Sequence, residues 1–192
     1  MSLKKEDTPT LILIDIQQAF DDEEYWGGTR NNTEAEENAK RLLDYWRAHG
    51  LPLFHIQHIS KNPDAKHGLN SPGHFFKEIV KPMPGEIIIQ KSVNSSFIGT
   101  DLKEQLDKKG LNTLVIVGLT TDHCVSTTTR MAGNYGYETY LVSDATATFG
   151  KKGIHGEYYD GEMMHRTALA QLNEEFAAIL STQNVIDTLD VL

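Results

Sequence analysis

The feature that most constrains this chain is the run Leu114-Val115-Ile116-Val117, followed at once by Gly118-Leu119-Thr120-Thr121-Asp122-His123-Cys124-Val125. An unbroken β-branched run reads as a parallel strand buried on both faces, and a glycine at its carboxyl end frees the backbone to turn sharply. The local reading is therefore strand, turn, helix. The only cysteine in 192 residues falls just past that turn. There the first free N–H groups of a helix starting near Asp122 would face the sulfur and favour its thiolate, which is the nucleophilic form. A lone cysteine is more often a small core hydrophobe than a nucleophile, so position makes Cys124 a candidate and the rest of the chain has to decide.

The other strands announce themselves in the same way. Thr10-Leu-Ile-Leu-Ile-Asp15 is an apolar run ending on a carboxylate, and Leu51 to Ile59, Glu86 to Gln90, Tyr137 to Val142 and Phe176 to Leu180 supply four more. Between them lie helical patterns. Thr33-Glu-Ala-Glu36 reads as a capping box opening a helix that carries Ala39, Leu42, Leu43 and Trp46 inward, shows a solvated charged face, and stops at Gly50. Further helices are predicted from Thr100 to Gly110 on Leu102 and Leu106, from Cys124 to Tyr135, from Glu162 to Glu175, and from Ser181 onward. The stretches 17–30, 61–84 and 149–160 have no clear period and read as loops, the kind of segment that walls a pocket.

Six strands alternating with helices predict an α/β fold. The expectation is a single domain over residues 1–192, doubly wound, with a six-stranded parallel sheet and helices on both faces. Asp15, Lys91 and Cys124 then each lie at or just beyond the carboxyl end of a different strand. A doubly wound sheet brings such ends to one rim, where ligands bind. A carboxylate beside a thiol can take its proton, and an ammonium beside both favours their charged forms.

These motifs resemble the isochorismatase-like hydrolase superfamily in its cysteine-hydrolase branch. The likeness rests on Leu-Ile-Asp15-Ile-Gln17-Gln-Ala-Phe20, on Lys91-Ser-Val-Asn-Ser-Ser-Phe97, on Gly118-Leu-Thr-Thr-Asp-His-Cys124-Val, and on Gly136-Tyr137 leading to Val-Ser-Asp144-Ala. It covers nearly the whole chain. The resemblance implies that Cys124 is the nucleophile, Asp15 the general base and later acid, and Lys91 the charge that orients both. It also implies a cis peptide at Leu119–Thr120 and an oxyanion hole made by the N–H groups of Thr120 and Cys124. The implied chemistry is hydrolysis of a C–N bond in a small amide, ureido or lactam compound through a thioester. Alternatives are vinyl ether hydrolysis of the isochorismate type, whose enzymes generally lack the cysteine, and a non-catalytic or redox-sensing relative.

Gln17, Phe20, Trp26 and His58 are candidate substrate contacts. Nicotinamidases of this superfamily bind a metal through an Asp and His set after the second strand, and here His55, His58, Asp64, His67 and His74 fall in that region. Their spacing departs from the nicotinamidase pattern, and His55 and His58 at i, i+3 of a strand point to opposite faces. No metal and no cofactor is expected. Gly133 to Gly136 and Gly150 to Gly153 lack the spacing of a phosphate loop and read as turns.

Composition narrows the partners. The net charge of −9, with basic residues dispersed, argues against nucleic acid or an anionic membrane surface. No apolar run reaches the roughly 18 residues of a membrane span. One cysteine and a start without an apolar signal core point to a cytoplasmic protein. The resemblance adds a small-molecule substrate and a homodimer or homotetramer.

Overall fold

The computed structural model describes residues 3–190. Six strands form one parallel sheet: β1 (Thr10–Ile14), β2 (Leu53–His58), β3 (Ile87–Lys91), β4 (Thr113–Leu119), β5 (Glu138–Ala147) and β8 (Ala178–Leu180). Their spatial order is β3-β2-β1-β4-β5-β8. Chain order therefore reverses between β1 and β4, and the crevice at their carboxyl ends is the ligand position of a doubly wound sheet.

Alternation along the central strands divides the core. Leu11 and Leu13 of β1, with Val115 and Val117 of β4, pack on one face with Leu42, Leu43 and Trp46 of α2 (Ala35–His49) and Val185 and Leu189 of α6 (Thr182–Asp190). Ile12, Ile14, Leu114 and Ile116 pack on the other with Leu102 and Leu106 of α3 (Leu102–Lys108), Ala132 of α4 (Ser126–Asn134) and Leu172 of α5 (Gly161–Leu172). Successive strand side chains point to opposite faces, so a wholly apolar strand needs a helical layer on each side. The expected layers are both present.

Where the structure departs from the sequence reading, side-chain chemistry explains the difference. The capping box at Thr33 does not form: α2 starts at Ala35, and no side chain caps it. Glu36 instead lies buried between Arg30 and Lys77, accepting from both. A face expected to be solvated thus holds a charge cluster. β5 runs five residues beyond Val142. After an irregularity in its pairing, Thr146 and Ala147 rejoin β4 opposite Gly118 and Leu119. Within that irregular stretch Asp144 accepts from the N–H and Oγ1 of Thr182 and caps α6.

The loop expected over 17–30 contains a 3-10 turn, Gln18–Asp21, and the one-turn helix α1 (Glu23–Trp26), on which Asp22 caps the N–H of Tyr25. The 149–160 loop folds into a short antiparallel hairpin of β6 (Lys151–Lys152) and β7 (Tyr158–Tyr159). Residues 61–84 hold two 3-10 turns, Pro72–His74 and Glu78–Val80. No helix among the described residues is long and apolar enough to cross a membrane.

Candidate active site

β1 delivers Asp15 to the rim. Directly after the strand its φ is +52°, a left-handed conformation that Asp tolerates better than bulkier residues. Its N–H donates to the carbonyl of Ile56 on β2. β3 ends on Lys91, beyond β2. The Lys91 Nζ donates to Asp15 Oδ2 at 2.5 Å and to the Val93 carbonyl at 3.2 Å, and lies 3.3 Å from His58 Nδ1. Asp15 is 1% exposed and Lys91 3%. An ion pair this dry persists because each charge satisfies the other; removing one partner alone costs about 3–5 kcal/mol.

β4 brings in Cys124. Gly118, at φ +127°, passes so close to β1 that a Cβ there would sit 2.0 Å from the Ile14 carbonyl oxygen. The Leu119–Thr120 peptide is cis. A single π-helical turn, Thr121–Val125, then precedes α4, and the N–H groups of His123 and Val125 both donate to the Thr120 carbonyl. Such turns break the ordinary helical ladder and are frequent at functional sites. Cys124 is 8% exposed, and its sulfur, an Asp15 oxygen and a His58 nitrogen all lie within 4.8 Å of one another. The three residues expected to meet do meet.

The electrostatics differ from the sequence reading. Burial first, and then the Asp15 carboxylate, push the Cys124 thiol up, with Lys91 opposing them. A helix start that favours a thiolate is outweighed by desolvation in a nearly closed site. Lys91 is held above its ordinary value: burial works to lower it, and the charges of Asp15 and Cys124 more than offset that. Asp15 Oδ2 is engaged by Lys91, whereas Oδ1 is buried without a hydrogen-bond partner. One carboxylate oxygen is thus left uncommitted in the site.

The other candidates divide. Gln17 is buried and its amide is spent on the backbone: Nε2 donates to the carbonyls of His58 and His74, and Oε1 accepts from the His58 N–H. It stitches the ends of β1 and β2 together and offers no free group to a ligand. His58 lies beside Lys91, and burial followed by the Lys91 charge lowers its pKa. Phe20 is buried between Trp26, at 4.9 Å between ring centroids, and Phe149, at 6.1 Å. Trp26 Nε1 donates to the Ala19 carbonyl.

Of the loop histidines only His58 and His67 adjoin, with ring centroids 5.2 Å apart. His55 faces away from Lys91 and lies 2.8 Å from Glu86, which Arg47 also grips. His74 Nδ1 lies 2.6 Å from the Ser71 carbonyl. Asp15, His58 and Cys124 do form a set of donors close enough for a cation. The Lys91 ammonium already contacts two of the three, so a metal there would have to compete with a resident positive charge.

Several residues that support the site carry no sequence signal of their own. Thr121 Oγ1 lies 2.9 Å from His165 Nδ1, and Asp122 accepts from Thr148 Oγ1, so α5 and the segment just after β5 brace the π turn from both sides. Asn32 Nδ2 donates to the carbonyls of Ser143 and Thr146, holding the irregular part of β5. A cavity of about 1200 Å³ lined by Ile88, Gln90, Thr100 and Lys103 runs along the outer edge of β3, and it includes none of Asp15, Lys91 or Cys124. The chemistry lies elsewhere.

A family model described as the isochorismatase domain matches residues 9–184. The isochorismatase family protein YrdC of Bacillus subtilis is 50% identical over 95% of this chain and 96% of its own length. A crystal structure of an isochorismatase-family protein from Chromobacterium violaceum superposes with a TM-score of 0.95 at 40% identity, covering 100% of this chain and 99% of that one. N-carbamoylsarcosine amidase from Arthrobacter is 24% identical over 96% of this chain and 72% of the relative.

Proposed function

The chain belongs to the isochorismatase family, and on that premise we propose that it is a cysteine hydrolase that cleaves a C–N bond of a small amide, ureide or lactam without a metal. The observation that carries this reading is the Asp15 carboxylate, one oxygen held by Lys91 and the other buried without a hydrogen-bond partner, in a group whose carboxylate lies within 4.8 Å of the Cys124 sulfur. A base so placed can take a proton from a buried thiol at the moment the sulfur attacks. The amidase among the relatives supports C–N cleavage.

The steps follow from that geometry. Cys124 Sγ forms a bond to the substrate carbonyl carbon as its proton passes to Asp15. The carbonyl electrons move to the oxygen, and the N–H groups of Thr120 and Cys124 are the proposed donors to that oxyanion; one such donor is worth about 2.7–4 kcal/mol of barrier. Collapse breaks the C–N bond, and Asp15 returns its proton to the departing nitrogen. Water then gives a proton to Asp15 and attacks the thioester. Cleavage of the C–S bond releases the acid, and the sulfur recovers the proton. Lys91 keeps the carboxylate oriented throughout and balances its charge.

The test is ammonia release over a panel of carboxamides and ureides and ring opening over a panel of lactams, with the acyl-enzyme sought by mass spectrometry. Loss of turnover in a folded Cys124→Ala variant, together with an adduct on Cys124 in the parent protein, is the expected result. Ammonia release that survives Cys124→Ala would overturn the cysteine mechanism, hydrolysis of an isochorismate-type vinyl ether that survives it would point instead to ether hydrolysis, and a reversible sulfenic acid with no hydrolysis to a redox sensor.

A further inference from the structure

One histidine beside the triad has no task in the reaction just described. His67 is 7% exposed, and its Nε2 is buried with no hydrogen-bond partner. Its ring lies 5.0 Å from Phe20, 5.5 Å from Trp26 and 5.2 Å from His58, centroid to centroid. His58 in turn touches Lys91. Phe20 and Trp26 pack in one cluster with Leu119, the residue before Thr120. The aromatic group therefore reaches from the π turn to the ammonium, and the nitrogen within it is unpaired. A buried polar atom left unsatisfied costs about 1–3 kcal/mol. Such an atom in a native site calls for a reason, and a ligand supplies one.

The charges around this group narrow the ligand further. Lys91 is spent on Asp15 and the Val93 carbonyl. Arg30 and Lys77 both donate to Glu36, and Lys66, next to His67, donates to Asp22 while lying 4.9 Å from the Tyr25 ring. A substrate carboxylate entering here would have to break one of these pairs. His67 adds no charge either, because burial, helped by His58 and Lys91, lowers its pKa to about 3.

We propose that His67 is a specificity residue, that its Nε2 forms a hydrogen bond with an uncharged polar group of the substrate held among Phe20, Trp26 and His58, and that the enzyme selects neutral carboxamides or lactams over amides bearing a carboxylate. This rests on the cysteine hydrolase reading and narrows its substrate class. Aromatic rings accept a flat, uncharged flank, and the lone nitrogen then fixes its orientation, as one buried polar group in an apolar pocket does.

The experiment has two arms. In the first, ammonia release is compared for benzamide and its para-carboxylate analogue, with the parent protein and with His67→Phe and His67→Gln. Benzamide should be favoured at least 100-fold in kcat/KM. His67→Phe, which keeps the ring and loses the nitrogen, should raise KM for benzamide about tenfold with kcat changed less than threefold. His67→Gln should recover part of that loss, which a merely structural role for the ring would not produce. In the second arm, benzamide binding to the folded Cys124→Ala protein is measured by calorimetry with and without His67→Phe. Tenfold weaker binding on removing the nitrogen supports the inference even where the parent protein hydrolyses nothing, and that combination would overturn the hydrolase reading alone. Equal or better use of the carboxylate analogue, or KM and binding both unmoved by His67→Phe, overturns the inference while leaving the hydrolase reading intact. If His67→Phe melts early, the comparison of the two amides on the parent protein decides.

Discussion

Asp15 and Lys91 do two things at once, and their removal separates them. Asp15→Asn leaves the Lys91 ammonium buried against a neutral amide, with Val93 and His58 as its remaining contacts. Loss of the base should lower kcat/KM by about 10²–10⁴, and the stranded charge should cost about 3–5 kcal/mol of stability. Asp15→Asn combined with Lys91→Met removes both charges. The double variant should regain most of the stability and none of the activity, because a buried pair replaced whole by neutral groups is nearly neutral in energy. Urea unfolding alongside turnover checks this; a double variant no more stable than Asp15→Asn would mean that the pair's charges do not set the cost. The proposed reaction also gives the donor set of Asp15, His58 and Cys124 no metal to hold, so EDTA followed by dialysis should leave turnover unchanged. Loss of activity restored by a divalent cation would place a metal in competition with Lys91.

At the scale of elements, the β4 turn is fixed by close approach of two strands. A Cβ on Gly118 would fall 2.0 Å from the Ile14 carbonyl oxygen at φ +127°, so Gly118→Ala must push β1 and β4 apart where the triad assembles. The expected cost is about 3 kcal/mol or more in urea unfolding, with activity lost. Gly136→Ala is the control: its φ is +86° but nothing lies within 4 Å, so it should cost only about 1–2 kcal/mol of backbone strain and spare turnover. Equal costs at the two positions would mean that the strand contact is soft. The elements carrying the chemistry were legible in the sequence because strand ends in a parallel sheet share one rim. Asp15, Lys91 and Cys124 could therefore be brought together from chain order alone. The flanking parts were not legible, for a different reason. Glu36 matches a capping box locally, and only Arg30 and Lys77, brought near by the fold, draw it inward. The β6–β7 hairpin has two residues per strand, too few to show any alternation. The burial of the thiol was not legible because helix position is a local property, whereas burial depends on the whole rim. His67 shows the same limit, since Phe20 and Trp26, which pack against it, lie more than forty residues away in the chain.

For the whole molecule, the distribution of buried ionisable groups sets the response to acid. Burial lowers the pKa of His55, His58, His67 and His165, with His67 reaching about 3. A histidine depressed in the folded state is neutral there while its unfolded counterpart, with a pKa near 6.5, takes up a proton. Below that pH the unfolded chain binds more protons, so the stability these residues contribute is fully present above about pH 6.5 and is lost as the pH falls toward the folded value. Glu86 adds a second, lower window. Its carboxyl is brought to about 2 against the opposing effect of burial, chiefly by the Arg47 guanidinium and then by the Met83 N–H and His55. Its contribution is present above the ordinary glutamate range and fades between about pH 4.5 and 2. Unfolding free energy should accordingly fall in two stages on acidification, the first well above the range of the carboxylates. His67 alone should account for about 2 kcal/mol between pH 6.5 and pH 5, at roughly 1.36 kcal/mol per pH unit. Urea unfolding at pH 7.5, 6.5 and 5 measures that stage, and His67→Phe, whose ring cannot take a proton, should flatten the slope between the last two by about that amount. An unchanged slope in His67→Phe would show that the ring is not held neutral in the folded protein, and that the nitrogen beside the triad is less secluded than its contacts with Phe20 and Trp26 require.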